Sequence, residues 1–205
     1  MQIKKSITQK VPVNWKPLAL QGAERVRRLF ASEGEWYIIN ADETFLHFHE
    51  VSGRYIVPKG EEHVGIASKM SEKDGCTLMV SMEWRTSSLI MPFMIFNGGF
   101  GKRLMNEWKN HDKSTVLFTE KHWQTQYTMK IYLQALRLNF PKGSVIGLVV
   151  DKASSHMGTL QHWLEGENLK DATGTKIILE YIDECLTSIY QPCDVLINHL
   201  LKQKL

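Results

Sequence analysis

Cysteine is scarce in this chain, and what there is forms no pattern. Cys76, Cys185 and Cys193 stand at unequal spacing without a C-x-x-C pair, so neither a disulfide framework nor a zinc knuckle is indicated, and a reducing compartment is the expectation. Long apolar runs are also missing. No stretch approaches the roughly 18 residues that a membrane-spanning helix needs, and the opening MQIKKSITQKVPVNWKP has lysines but no apolar segment like that of a secretory leader. The sequence reads as neither secreted nor membrane-spanning. It has no glycine-rich phosphate loop, no G-x-S-x-G elbow, no internal repeat and no low-complexity tract. Charge of one sign is not in large excess. A net +3 and a pI near 8.7 permit a polyanionic partner without requiring one.

What remains is ordinary globular material. With 205 residues, 43% hydrophobic and 23% charged, the chain is long enough for one domain with a proper core and short appendages. Residues 1 to about 16 are polar and lead into a short basic helix around PLALQGAERVRRLFASEG. From Trp36 the pattern becomes WYIINADET, a compact apolar strand ending at Asp42, followed by a hairpin or long loop turning at Ser52-Gly53. CTLMVSMEW (76–84) and LIMPFMIF (89–96), joined by RTSS, predict an antiparallel pair. After NGGFGKR and a mixed segment, Met129, Tyr132, Leu133 and Leu136 fall at helical spacing within 126–138. A strand at 144–151, a helix at 156–167, a strand at 176–182 and a closing helix entered at Pro192 follow. A three-strand meander followed by alternating helices and strands predicts an α/β mixed sheet with helices on its faces.

Carboxylates stand at the ends of these elements. In open α/β sheets chemistry gathers at the carboxyl ends of strands, and both Asp42 and Asp151 are expected there, neighbours in space if the first strand lies beside the strand at 144–151. Asp194 opens the last helix. Close carboxylates repel, so a divalent cation is the simplest occupant, and hard oxygen ligands suit magnesium or manganese. Each acid alone also has a plainer explanation: a strand-terminal Asp caps the next turn, and Asp194 suits a helix N-terminus.

Three segments carry a family resemblance. NADET (40–44), VVDKASSH (149–156) and LTSIYQPCD (186–194) resemble the three acidic motifs of the DDE-type endonuclease domain of pogo-like transposases, within the mariner group. VPKG (57–60), EKDGCTLMVSM (72–82) and LIMPFMIFNGG (89–99) are similar to that family's strand meander. The resemblance spans roughly 36–205 and implies an RNase H-like fold, with 1–35 as a lead-in. By the same resemblance Asp42, Asp151 and Asp194 would be catalytic and hold two magnesium (or manganese) ions about 4 Å apart, activating water or a DNA 3′-hydroxyl and stabilising the leaving oxygen. DNA is the implied partner, and a nuclear location is expected from that substrate although no targeting signal is evident. A homodimer is compatible with this picture, and no small-molecule cofactor is required.

Neighbouring residues take lesser roles. Glu43 points away from Asp42 on a strand and suits a structural contact or a hydrogen bond behind the ligands better than a ligand role. His156 matches the family's histidine and suits orienting a ligand or contacting phosphate, or simply a local hydrogen bond at a helix start. Gln191 shapes the approach to the third acid. His47 and His49 would share a strand face, more often as exposed decoration than as metal ligands. ERVRR (24–28) could touch phosphate, although a solvated helix face explains it as well. Ser154 and Ser155 beside His156 make a poor hydrolase without the elbow.

Three departures from the family pattern bear on activity. Lys152 replaces the usual asparagine, where it would pair with Asp151 or reach a phosphate. YIDECLTS, with Asp183 and Glu184, replaces a proline-rich approach. The helix-turn-helix modules and the later helices of an intact transposase are missing, so the chain reads as a remnant, a truncated product or a domesticated catalytic domain. The alternatives are a catalytically inactive DNA-binding or interaction protein of the same fold, and an unrelated RNase H-like nuclease acting on RNA.

Overall fold

A computed structural model describes residues 13–31, 36–48, 75–90, 92–98, 115–183, 191, 193 and 197. The elements run α1 (Trp15–Ala31), β1 (Trp36–His47), β2 (Gly75–Glu83), β3 (Phe93–Asn97), β4 (Thr115–Thr119), α2 (Gln126–Arg137), β5 (Val145–Val150), α3 (Leu160–Lys170) and β6 (Lys176–Tyr181). The strands form one six-stranded sheet in the order β4-β3-β2-β1-β5-β6. β1, β2 and β3 pair antiparallel as the expected meander, and β5 and β6 continue parallel to β1. This mixed α/β sheet is RNase H-like.

Several elements differ from the sequence expectation, among them β3, which starts at Phe93 rather than at residue 89. β1 does not stop at Asp42 but runs to His47, because its antiparallel pairing with β2 continues to His47↔Gly75 after the parallel pairing with β5 ends at Asn40↔Val149. β4 was not expected. The segment TVLFT (115–119) is rich in β-branched and aromatic residues and adds parallel to β3. Finally, the helix expected from His156 starts at Leu160, because the chain first makes a turn (His156 N–H to Ala153 O, 2.9 Å) and Gly158 takes φ +74°, a left-handed conformation that glycine adopts without strain.

Alternation along the strands divides the core between two faces. Under α2 and α3 lie Ile39, Ala41, Met79, Ile95, Leu148 and Val150, packed against Met129, Leu133 and Leu136 of α2 and Leu160 and Leu164 of α3. α2 is well specified locally. Thr125 and Thr128 exchange side-chain and backbone hydrogen bonds as a capping box, satisfying donors that a bare helix end would leave orphaned. The opposite face carries Trp36, Ile38, Val149 and Ile182 beneath Trp15, Leu18 and Val26 of α1. Pro17 fits within the first turn of α1, where backbone N–H groups lack helical partners in any case. The basic ERVRR segment is largely tied within the chain. Arg25 pairs with Glu180 at 2.5 Å and Asp183 at 2.8 Å, and Arg27 and Arg28 pair with Glu24. No described helix is long and apolar enough to cross a membrane.

Candidate active site

The register between β1 and β5 sets the site. The ladder runs from Trp36↔Val145 to Asn40↔Val149, a constant separation of 109 positions. Asp42 and Asp151 have that same separation and stand two residues beyond the last pair, so the two acids lie level at the carboxyl end of β5. Asp42 pairs across to Val80 on the other side, and cross-strand partners share a face. Asp42 therefore lies on the face of Val80, which packs with Leu78 and Cys193.

The approach to the third acid is anchored beside it. The amide of Cys193 donates to Asn40 Oδ1 at 2.9 Å, its thiol contacts Asn40 O at 3.3 Å and Val80 O at 3.7 Å, and Gln191 Nε2 donates to Ala41 O at 3.1 Å. Asn40 also donates through Nδ2 to Val149 O, 3.2 Å. Buried, and bonded through both its amide nitrogen and its amide oxygen, Asn40 joins β1, β5 and residue 193 at the residue pair before the acids. Asp194 itself lies outside the described residues, as do His49 and Glu184.

Glu43 faces the other way, with Met79, and meets a different partner. His156 is wholly buried between two carboxylates, with Nδ1 2.8 Å from Asp151 Oδ1 and Nε2 2.9 Å from Glu43 Oε1. Burial alone would strip its proton, but the bonds to Asp151 and Glu43 overcome that and raise its pKa from 6.5 to about 10. The ring is an imidazolium at neutral pH and donates to both acids. Burial pushes Asp151 up, yet the bond and charge of His156 and the amide of Ala153 hold it below 3.8, so it stays ionised. Asp151 Oδ1 thus serves as a turn cap as well, accepting from Ala153 N–H at 3.1 Å. Ser155 Oγ adds a longer bond to Glu43, 3.4 Å.

Glu43, Asp151 and His156 are the described cluster whose donor atoms come within 4.8 Å of one another. Both nitrogens of His156 are already engaged, so a metal at the cluster centre would have to displace a proton and two hydrogen bonds. Asp42 is not part of that cluster. Asp151 Oδ2 has no hydrogen-bond partner among the described residues and the side chain is 31% exposed, so it is the oxygen that a hard cation would meet.

Lys152 does not pair with Asp151. Its ammonium lies 3.7 Å from Asp183, which Arg25 also holds. This corrects the expectation that the lysine competes directly with a cation: the side chain following Asp151 turns toward Asp183 instead. His47 ends β1 exposed and touches the Phe45 ring edge-on, with centroids 4.8 Å apart.

No known family profile matches the chain, and no curated protein does. Solved structures do. The chain is similar to the Mos1 transposase paired-end complex with left transposon end, at 13% identity and a TM-score of 0.49, covering 100% of this chain and 52% of that one. It is similar also to the Mos1 strand transfer complex (14%, TM-score 0.49, 93% and 46%) and to a pre-cleavage Mos1 transpososome (11%, TM-score 0.42, 92% and 47%). The chain spans about half the length of these transposases.

Proposed function

We propose that this chain is a DDE-type endonuclease domain of the pogo-like transposase kind, binding DNA and cutting or joining phosphodiesters with magnesium or manganese. The observation that carries it is the shared 109-residue separation of the β1–β5 ladder and of Asp42 and Asp151. The anchoring of Gln191 and Cys193 beside Asn40 and Ala41 supports Asp194 as the third acid.

Asp42, Asp151 and Asp194 would hold the cations. Bound there, divalent metal would supply Lewis-acid activation of the attacking oxygen and neutralise charge on the leaving one. The chain's own part is positional. His156 fixes Asp151 through Oδ1, which leaves Oδ2 for a cation, and Glu43 holds the imidazolium through its other nitrogen. Asn40 holds β1, β5 and the third-acid segment in one register. A nuclear location follows from a DNA substrate, and a homodimeric assembly is compatible with it, as further parts of the proposal.

Calorimetry with magnesium or manganese on the chain and on Asp151→Asn tests it. Binding that disappears in the variant is the expected result, followed by metal-dependent nicking of DNA. Absence of binding in both proteins, with circular dichroism intact, would replace the nuclease with an inactive DNA-binding protein of the same fold. Preferential cleavage of RNA would point instead to an unrelated nuclease.

A further inference from the structure

Two residues along β1 from Glu43, and on the same face, Phe45 begins an aromatic cluster that the acids do not use. Its ring centroid lies 4.9 Å from His122 and 6.3 Å from Trp123, the latter at an interplanar angle of only 22°. His122 and Trp123 are themselves 5.0 Å apart. The floor of this cluster is built by an omission. Gly75 stands diagonally across from Phe45 on β2, and a Cβ there would come 2.4 Å from the Phe45 ring and 2.3 Å from the Leu46 carbonyl. A glycine is what leaves room for the ring there.

Above that floor the layers differ in exposure. His122 is 6% exposed, whereas Trp123 is 58% exposed. An indole half open to water yet backed by stacked rings is held at little conformational cost. The loop that carries it is tied to the acid site: Gln126 Nε2 donates to Met157 O at 2.9 Å and Thr159 Oγ1 donates to Gln126 Oε1 at 3.0 Å, both just past His156. Lys121, two residues before Trp123, is exposed on the same loop.

We propose that Trp123 is a stacking platform for an unpaired base of the DNA strand engaged at the acids. This rests on the endonuclease reading above. The chemistry suits that ligand: every base presents a π-face, so stacking on an indole is tolerant of sequence, and the exposed Lys121 of the same loop supplies positive charge for the backbone. Phe45 shares the Glu43 face of β1, opposite Asp42, so a strand held at the acids reaches Trp123 round the carboxyl end of β5, past the turn after Asp151 to which Gln126 is tied.

The test uses the full chain with chelator present, so that cation binding plays no part. Fluorescence anisotropy compares labelled oligothymidylate with an oligonucleotide of equal length made of abasic sites. Tighter binding of the base-bearing strand by about tenfold is expected, at the scale of one stacked base. Trp123→Ala should remove that advantage and leave abasic binding as it was, and Trp123→Phe should keep most of it. Equal weakening on both strands would assign the tryptophan to structure or to a protein partner and overturn the platform, as would no change on either. DNA binding without base preference removes the platform alone. No DNA binding of any kind removes the DNA endonuclease reading with it.

Discussion

Asp42 and Glu43 are adjacent in sequence and face opposite sides of one sheet, and the two sides are finished differently. Glu43 looks under α2 and α3 at a buried imidazolium that also holds Asp151, so its charge is balanced within the fold. Asp42 looks toward Val80 and Cys193, where the neighbouring bonds come from Asn40 and from backbone carbonyls. Asp151 ends its strand between the two sides and serves both. The comparison teaches that carboxylates one residue apart do different work: one meets a buried cation, and the other faces the side of the sheet where Asn40 and Ala41 anchor residues 191 and 193.

The most disruptive way to break this contrast is His156→Ala. It would leave Glu43 and Asp151 partly buried without the cation that faces both, at a cost of about 3 kcal/mol, the scale for removing one partner of a buried pair. Urea denaturation reads the loss directly. Glu43→Gln, which keeps a hydrogen-bond acceptor, should cost clearly less, and an equal loss in the two variants would mean that packing rather than charge sets the network. If His156 acts by positioning, the variant should also weaken manganese binding without abolishing it, whereas Asp151→Asn abolishes it.

Asn40→Ala comes next. It deletes the bonds to Val149 O and Cys193 N–H, both buried, and should cost about 2 kcal/mol through the groups it leaves unpaired. The informative readout is the 191–193 segment: its amides should exchange faster with solvent while those of α2 keep their protection. Uniform loss across both would mean that the two faces are not separable.

The pH dependence sharpens the comparison without a mutation. His156 is raised above its ordinary 6.5 to about 10, so its stabilisation is complete below 6.5 and lost as pH rises through about 10. Asp151 is held below its ordinary 3.8, so its share is present above 3.8 and lost as pH falls through its folded value. The pair therefore contributes most between pH 3.8 and 6.5. Nitrogen chemical shifts of the His156 ring at about pH 8, above the ordinary histidine range, should still be those of an imidazolium. A neutral ring there would contradict the two-carboxylate environment.

Much of this arrangement is legible in the sequence, for reasons that differ by element. β5 is an unbroken apolar run bounded by Ser144 and Asp151, and α2 repeats Met129, Leu133 and Leu136 at helical spacing, so periodicity suffices for both. β4 was hidden because five residues of TVLFT, half-buried throughout, give too little pattern to separate them from a loop. The true end of β1 was hidden because Phe45, Leu46 and His47 are held by pairing with β2, a long-range partner that no local signal announces. At the site, strand alternation alone separates Asp42 from Glu43. Nothing in the sequence shows that His156 has a carboxylate on each ring nitrogen, since one of them lies 113 residues away.

The smallest expected effect belongs to Lys152→Ala. The residue directly follows Asp151, and sequence adjacency suggests electrostatic competition. The side chain instead reaches Asp183 at 3.7 Å, is 34% exposed, and shares that acid with Arg25. Partly solvated pairs of this kind contribute about 0.5 kcal/mol, and Arg25 retains Asp183 when the lysine is gone. Stability should therefore fall by no more than that, and manganese affinity should stay within about twofold, a difference of about 0.4 kcal/mol. A clear gain in metal affinity would show that Lys152 repels cations from the site despite its turn toward Asp183, and the contrast drawn between the two faces would then have to include it.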